Sequence, residues 1–173
     1  MYPDEYIRYL VHFHGDRDYF ECHEILEEYW KNKDQGNKDS VWVGLIQLAV
    51  SCYHHRRSNF TGAKKTLEKA MVILKKEELC LNSLGLNKIK LFSILKERHI
   101  DIEKNQPYTS FNLPINDPCL SQQCQTDCIK LGFIWCDHSN LNNKSLINRH
   151  KLRDRTSIIQ ARLYALKRNK SSD

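Results

Sequence analysis

The segment from Val41 to about Arg57 most constrains the fold, because it has helical spacing and carries apolar residues on nearly every side. A helix on the surface of a globular protein normally shows one apolar stripe and one polar face. A helix that is apolar all round must be surrounded by other elements. The sequence therefore predicts that this segment, which Ser40 can cap, is the central helix of a bundle.

Apolar residues also recur at helical spacing before and after this segment. A capping-box-like pair, Asp18 and Glu21, marks one helix start, and Asn59 or Thr61 marks another. These signals predict an all-α fold with a compact helical core of about five helices in residues 1–103. The four helices expected besides the central one run from about Tyr6 to Gly15, from Asp18 to about Lys33, from Asn59 or Thr61 onwards, and from about Asn87 to Ile102.

The character of the sequence changes after the predicted core. Residues 104–143 contain three of the four prolines among many Asn, Ser and Gln residues, which favours an irregular connector. Residues 144–173 then combine an apolar stripe with many basic side chains. They are predicted to form a basic C-terminal helix that packs on the core or on a partner.

Charge is unevenly distributed along the chain. Residues 1–30 hold eight acidic and two basic side chains, whereas residues 144–173 hold nine basic and two acidic ones. The basic segment can dock on an acidic face of its own chain or of a partner, and it can also bind the phosphates of a nucleic acid. Docking is favoured, because Tyr164 is the segment's only aromatic residue for stacking on bases. The basic residues concerned are Arg149, Lys151, Arg153, Arg155, Arg162, Lys167 and Arg168.

The sequence also bears on the cellular compartment. No stretch approaches the ~20 apolar residues that a membrane span needs, and the first residues lack the basic and apolar regions of a signal peptide. We therefore expect a cytoplasmic protein without a membrane partner. In that compartment the seven cysteines are expected to be reduced thiols.

Polar side chains interrupt the apolar faces of the second and third helices. With about 100° of rotation per residue around the helix axis, His23 lies in the middle of an aromatic face of the second helix. Gln47, Ser51 and His54 form a polar seam on the third helix. Neighbouring helices joined by a short turn usually pack antiparallel, and a buried polar group without a partner costs about 1–3 kcal/mol. We therefore expect a shared polar pocket, although a purely structural hydrogen-bond network remains an alternative. The predicted pocket residues are His23, Glu27, Trp30, Gln47, Ser51 and His54.

The same residues include candidate ligands for a divalent metal. The metalloprotease motif His-Glu-x-x-His is absent, because position 27 holds Glu where that motif needs its second His. Glu27 can nevertheless ligate a metal beside His23 and His54, and three protein ligands plus a water form a catalytic zinc arrangement. A metal-assisted hydrolase is therefore an alternative function for this pocket.

A separate set of metal-ligand side chains lies in the predicted connector. Four thiolates can bind zinc in a tetrahedron, but the intervals here lack the paired Cys-x2-Cys units of zinc ribbons. Reduced cysteines, some of them buried, are the favoured interpretation, and a structural zinc is the alternative. The set is Cys119, Cys124, Cys128, Cys136 and His138. We expect the histidines outside the pocket to lie at the surface or in loops: His12, His14, His55, His99 and His138.

Three separated motifs resemble a known family. They are Asp18-Tyr-Phe-Glu-Cys-His23-Glu-Ile-Leu-Glu27-Glu-Tyr-Trp30-Lys, then Gly44-Leu-Ile-Gln47-Leu-Ala49 with Tyr53-His54, and then Asn59 followed by Gly62-Ala63. Over about residues 5–75 they resemble the bacterial and archaeal family catalogued as domain of unknown function 309. The opening Tyr2-Pro-Asp-Glu-Tyr-Ile-Arg-Tyr-Leu-Val-His-Phe-His resembles the longer form of this family in Bacillus-type bacteria. The resemblance implies a small all-helical cytosolic protein. It also implies signature residues at His23, Glu27, Trp30, Gln47 and His54.

These observations predict a small helical binding or interaction protein with a polar pocket between its second and third helices. Two alternatives stay open: a metal-assisted hydrolase that uses this pocket, and a nucleic-acid-associated protein that uses the basic C-terminal segment. The sequence specifies no cofactor other than the candidate divalent metal. The exposed helical faces would suit a homodimer.

Overall fold

The computed structural model describes residues 1–149, so most of the predicted basic C-terminal helix lies outside the described residues. Within residues 1–149 the chain forms eight helices and no strand, which confirms the predicted all-α class. None of these helices is both long enough and apolar enough to cross a membrane. The helices are α1 (Asp4–His14), α2 (Tyr19–Lys33), α3 (Val41–Arg56), α4 (Phe60–Lys76), α5 (Glu78–Ser83), α6 (Lys88–Glu103), α7 (Pro118–Lys130) and α8 (Lys144–Ile147).

Short polar side chains start several of these helices. Asp18 accepts a hydrogen bond from the backbone N–H of Glu21 at 3.0 Å, and Asn59 accepts one from the N–H of Gly62 at 3.0 Å. Both bonds satisfy donors that the first turn of a helix leaves unpaired. The predicted starts of α2 and α4 are thus confirmed. Ser40 precedes α3 as predicted, but its side chain makes no capping hydrogen bond.

The predicted central position of α3 is confirmed. The helix packs against α2 and α4, and eleven of its sixteen residues are buried. Gly44 permits the close approach to α4, since a Cβ at this position would lie 2.6 Å from Cδ2 of Leu74. Around this centre, α1 packs on α2 and α7, and α4 also packs on α6.

The connector is irregular except for α7, which the sequence analysis does not predict. Asp117 accepts hydrogen bonds from the N–H groups of Cys119 and Leu120, and Pro118 occupies the first turn of the helix. An Asp-Pro start is a helix signal, but the surrounding Asn, Ser and Gln residues favoured a loop. Cys124 on α7 is fully buried, so this segment adds to the core.

Arg17 joins the connector to the first two helices. The residue is 1% exposed, and its guanidinium donates hydrogen bonds of 2.7–2.8 Å to the carbonyls of Phe13, Phe111 and Asp137. A further bond of 2.7 Å reaches Oδ1 of Asn112. A buried charge is tolerated only when its donors are paired, and here the partners come from α1 and from the connector.

Two histidines correct the sequence analysis. His14 and His55 were expected at the surface, but they are 1% and 3% exposed. Backbone groups compensate for their burial: His14 bonds to the carbonyl of Leu10 and the N–H of Leu113, and His55 bonds to the carbonyl of Gln106. Each histidine therefore fixes part of the connector on the helical core.

Candidate functional site

The α2 wall of the candidate site is built around His23. Nε2 of His23 lies 3.3 Å from Oε2 of Glu27, one turn further along the helix, and Nδ1 lies 3.2 Å from Oε1 of Glu24. The imidazole thus stands between two carboxylates of its own helix. The sequence analysis places Glu27 in the pocket with His23 but does not select Glu24, which also contacts the ring.

The α3 wall carries His54 and Tyr53, with Arg57 directly after the helix. The side-chain amide of Asn59 donates to Nδ1 of His54 at 3.0 Å, which orients the ring and leaves the proton of the neutral ring on Nε2. Arg57 donates to the hydroxyl of Tyr53 at 3.2 Å, and its guanidinium carbon lies 5.2 Å from the centre of that ring. The guanidinium is therefore positioned by an aromatic platform.

The two walls enclose a cleft of about 190 Å³ between α2 and α3. This is room for about six water molecules, and it is smaller than the roughly 300–1,000 Å³ of drug-sized pockets. Burial raises the pKa of Tyr19 well above its ordinary value, and its hydroxyl bonds to that of Tyr108, which does not line the cleft. The lining residues are Tyr19, Phe20, His23, Val50, Tyr53, His54 and Arg57.

The structure brings some of the predicted pocket residues together and separates others. His23 and His54 line one cleft, and Glu27 contacts His23. Ser51 lies at the other side of α3, where its hydroxyl donates to the carbonyl of Ala63 at 2.8 Å. Trp30 donates from Nε1 to the carbonyl of Asn37 at 2.9 Å, in the turn before α3. Gln47 is half-buried on α3 and lies outside the lining of the cleft.

The cleft also contains residues that the sequence analysis did not select. They are Tyr19, Phe20, Val50, Tyr53 and Arg57. The helical spacing was a usable signal, because Phe20 lies three residues before His23 and Arg57 lies four residues after Tyr53. Side chains at these intervals share a helix face.

One group of side chains in the described part of the chain can hold a metal ion. It consists of His23, Glu24 and Glu27, which each offer a ligand atom within 4.8 Å of the others. The predicted trio had His54 in place of Glu24. Glu27 also pairs with Lys31, whose Nζ lies 2.9 Å from Oε1, so a metal would compete with an ammonium group for this carboxylate.

The connector cysteines lie in different environments. Cys119 is exposed on the first turn of α7, whereas Cys124 and Cys128 are buried in the core. Burial raises the pKa of the Cys124 thiol to about 12, which disfavours the thiolate that zinc requires. Among residues 1–149, this set does not bring three ligand atoms together.

The basic C-terminal segment enters the described structure only at its start. Arg149 forms an ion pair with the fully buried Asp18, and its other terminal nitrogen lies 3.9 Å from Oε2 of Glu21. Acidic residues near the start of α2 thus contact the first part of the segment. The other predicted basic residues of this segment lie outside the described residues: Lys151, Arg153, Arg155, Arg162, Lys167 and Arg168.

Comparison with known proteins agrees with the resemblance found in the sequence. The family model for domain of unknown function 309 matches residues 6–66. An uncharacterised protein of Bacillus subtilis (strain 168), YpuF, is 45% identical over 172 residues, which is 99% of each chain. The chain belongs to the domain of unknown function 309 family. No solved structure matches it.

The region that matches the family model contains the whole lining of the candidate cleft. Residues 6–66 run from α1 to the first turns of α4, and they include every residue that lines the cleft. The connector, α7 and α8 follow the matched region, but the relative from Bacillus subtilis is similar over them as well. The candidate cleft is thus part of the family domain itself.

Proposed function

We propose that this protein binds a small anionic ligand in the cleft between α2 and α3. The carrying observation is that Arg57 and His54 line one cleft of about 190 Å³, across from His23 on the other wall. Guanidinium and imidazole N–H groups are the usual donors to carboxylate and phosphate oxygens. A ligand of this size is on the order of inorganic phosphate or a short carboxylate.

The arrangement of the two walls supports this ligand class. The carboxylates of Glu24 and Glu27 are engaged by His23 on the α2 wall, and the guanidinium of Arg57 stands on the α3 wall. An anion would therefore bind near Arg57 and His54, and the methyl group of a short carboxylate such as acetate would lie against Phe20. The hydroxyl of Tyr53 accepts from Arg57 and so helps to hold the guanidinium in place.

Calorimetric titration with inorganic phosphate and with acetate tests this proposal. Replacing Arg57 with Gln should weaken binding of the better ligand by about tenfold or more, because a hydrogen bond from a charged group contributes about 1.5–3 kcal/mol. Arg8→Gln is the matched control, since Arg8 is exposed on α1 and does not line the cleft. Equal affinities for the wild type and Arg57→Gln, or no binding of either anion, would contradict the proposal.

A second candidate is a divalent metal held by the α2 wall. It is favoured by one observation, the three ligand atoms of His23, Glu24 and Glu27 within 4.8 Å of one another. Imidazole and carboxylate groups suit first-row divalent metals. This trio comes from a single helix and omits His54, so it differs from the ligand set on which the hydrolase alternative was based.

Titration with Mn²⁺, followed by the loss of its free-ion EPR signal, tests the metal candidate without interference from the cysteines, because Mn²⁺ prefers oxygen and nitrogen ligands to thiolates. We expect one Mn²⁺ per chain in the wild type and none in His23→Gln. His12→Gln is the matched control, since Nδ1 of His12 also lies 3.1 Å from a carboxylate, that of Asp16, four residues along the chain. Retention of Mn²⁺ by His23→Gln, or no binding by the wild type, would exclude this site.

A further inference from the structure

A groove between α4 and α6 exposes apolar side chains. Val72 on α4 is 58% exposed and Ile89 on α6 is 77% exposed, and Met71 and Phe92 lie half-buried between them. Single exposed apolar residues are common at protein surfaces. Here they line one groove of about 850 Å³, and apolar patches of this kind mark sites where another molecule docks.

The rim of this groove is positively charged. Lys75, Lys88 and Lys96 line it together with one acidic residue, Glu78. The carboxylate of Glu78 lies 2.7 Å from Nζ of Lys75 and 3.8 Å from Nζ of Lys88, so its charge is already balanced within the rim. The groove therefore presents an apolar floor and a net positive border.

The charge of the rim distinguishes between three occupants. The chain's own residues 150–173 carry an apolar stripe, but they hold seven basic and two acidic side chains and would be repelled by the lysines. In a symmetric contact, a second copy would bring its own lysines against the first set. A partner segment with apolar residues on one face and acidic residues beside them satisfies both the floor and the border.

We propose that the α4–α6 groove binds an amphipathic helix of a partner protein whose polar residues are acidic. In such a complex the apolar anchors of the partner, at positions i, i+3, i+4 and i+7, lie against Ile89, Val72 and Phe92. The acidic side chains that flank these anchors pair with Lys75, Lys88 and Lys96. This surface is separate from the α2–α3 cleft, and the proposal is independent of the ligand bound there.

The test uses the full chain and a fluorescent synthetic helix of about 16 residues, roughly four turns, with leucines as anchors and glutamates elsewhere. Fluorescence anisotropy should detect binding of this acidic peptide and weaker binding of the same peptide with lysines in place of glutamates. Ile89→Glu should lower the affinity for the acidic peptide about tenfold or more, because it removes an anchor and adds a like charge. Leu79→Glu is the matched control, since Leu79 is 74% exposed but lies outside the groove.

Several results would overturn the proposal. One is the absence of binding of the acidic peptide, and another is a loss of binding in Leu79→Glu as large as that in Ile89→Glu. Stronger binding of a peptide of residues 150–173 than of the acidic peptide would assign the groove to the chain's own C-terminal segment. A dimer in analytical ultracentrifugation that Ile89→Glu dissociates would assign it to a second copy.

Discussion

The stability of this protein should depend on the charge of His14. The ring is 1% exposed, its Nδ1–H donates to the carbonyl of Leu10 at 2.8 Å, and its Nε2 accepts from the N–H of Leu113 at 2.9 Å. Both nitrogens are therefore satisfied only in the neutral ring. Burial, aided by the nearby charge of Arg17, lowers the pKa of His14 from 6.5 to about 4.

The size of the effect follows from this shift in pKa. The unfolded chain takes up the proton near pH 6.5, whereas the folded chain takes it up only near pH 4. Between these values the unfolded state binds more protons, so the free energy of unfolding falls as the pH falls. At about pH 5 this one residue should make the protein about 2 kcal/mol less stable than at pH 8, and below pH 4 the loss should reach about 3 kcal/mol.

Urea unfolding of the wild type and of His14→Gln, at pH 8 and at pH 5, measures this contribution. Gln takes up no proton but can accept from the N–H of Leu113. The variant should be less stable at pH 8 by about 1–3 kcal/mol, because it loses the bond to Leu10 and the stacking of His14 on Trp135. Its further loss on going to pH 5 should be about 2 kcal/mol smaller than that of the wild type. Burial also lowers the pKa of His55, but this contribution is present in both proteins and cancels in the difference. Equal losses in the two proteins would refute the reasoning.

Three further predictions concern stability and are measured by urea unfolding. Arg17→Met should cost about 3 kcal/mol or more, because it leaves buried carbonyls without donors, and a loss under about 1 kcal/mol would contradict this role. Gly44→Ala should lower the free energy of unfolding by about 1–3 kcal/mol, because its Cβ would lie 2.6 Å from Leu74. In the Gly44→Ala protein, the further substitution Leu74→Ala should destabilise less than it does in the wild type, because it relieves this clash. Cys124→Ser should cost about 1–3 kcal/mol because it places a hydroxyl in the core, whereas Cys119→Ser, at an exposed position, should change stability by less than about 0.5 kcal/mol.

The helices that build the core could be predicted because their signals are local. The apolar spacing of α3 and the side chains of Asp18 and Asn59 are each contained in a few consecutive residues, and the structure agrees with them. The helix α7 was missed because its composition is polar and it buries only a narrow set of residues, Leu120, Cys124 and Cys128. The burial of His14 was missed for a different reason. Its partner Leu113 lies 99 positions away, and no local pattern indicates such a bond.

The lining of the candidate cleft also depends on packing that the sequence does not indicate. Ser51 and His54 lie three residues apart on α3, which turns one side chain about 60° from the other around the helix axis. On a surface helix both would belong to one polar face. Because α3 is central, this angle is enough to send Ser51 to the carbonyl of Ala63 on α4 and His54 to the cleft shared with α2. Helical spacing therefore identifies which residues of a central helix are polar, but the neighbour that each one meets is decided by how the surrounding helices pack.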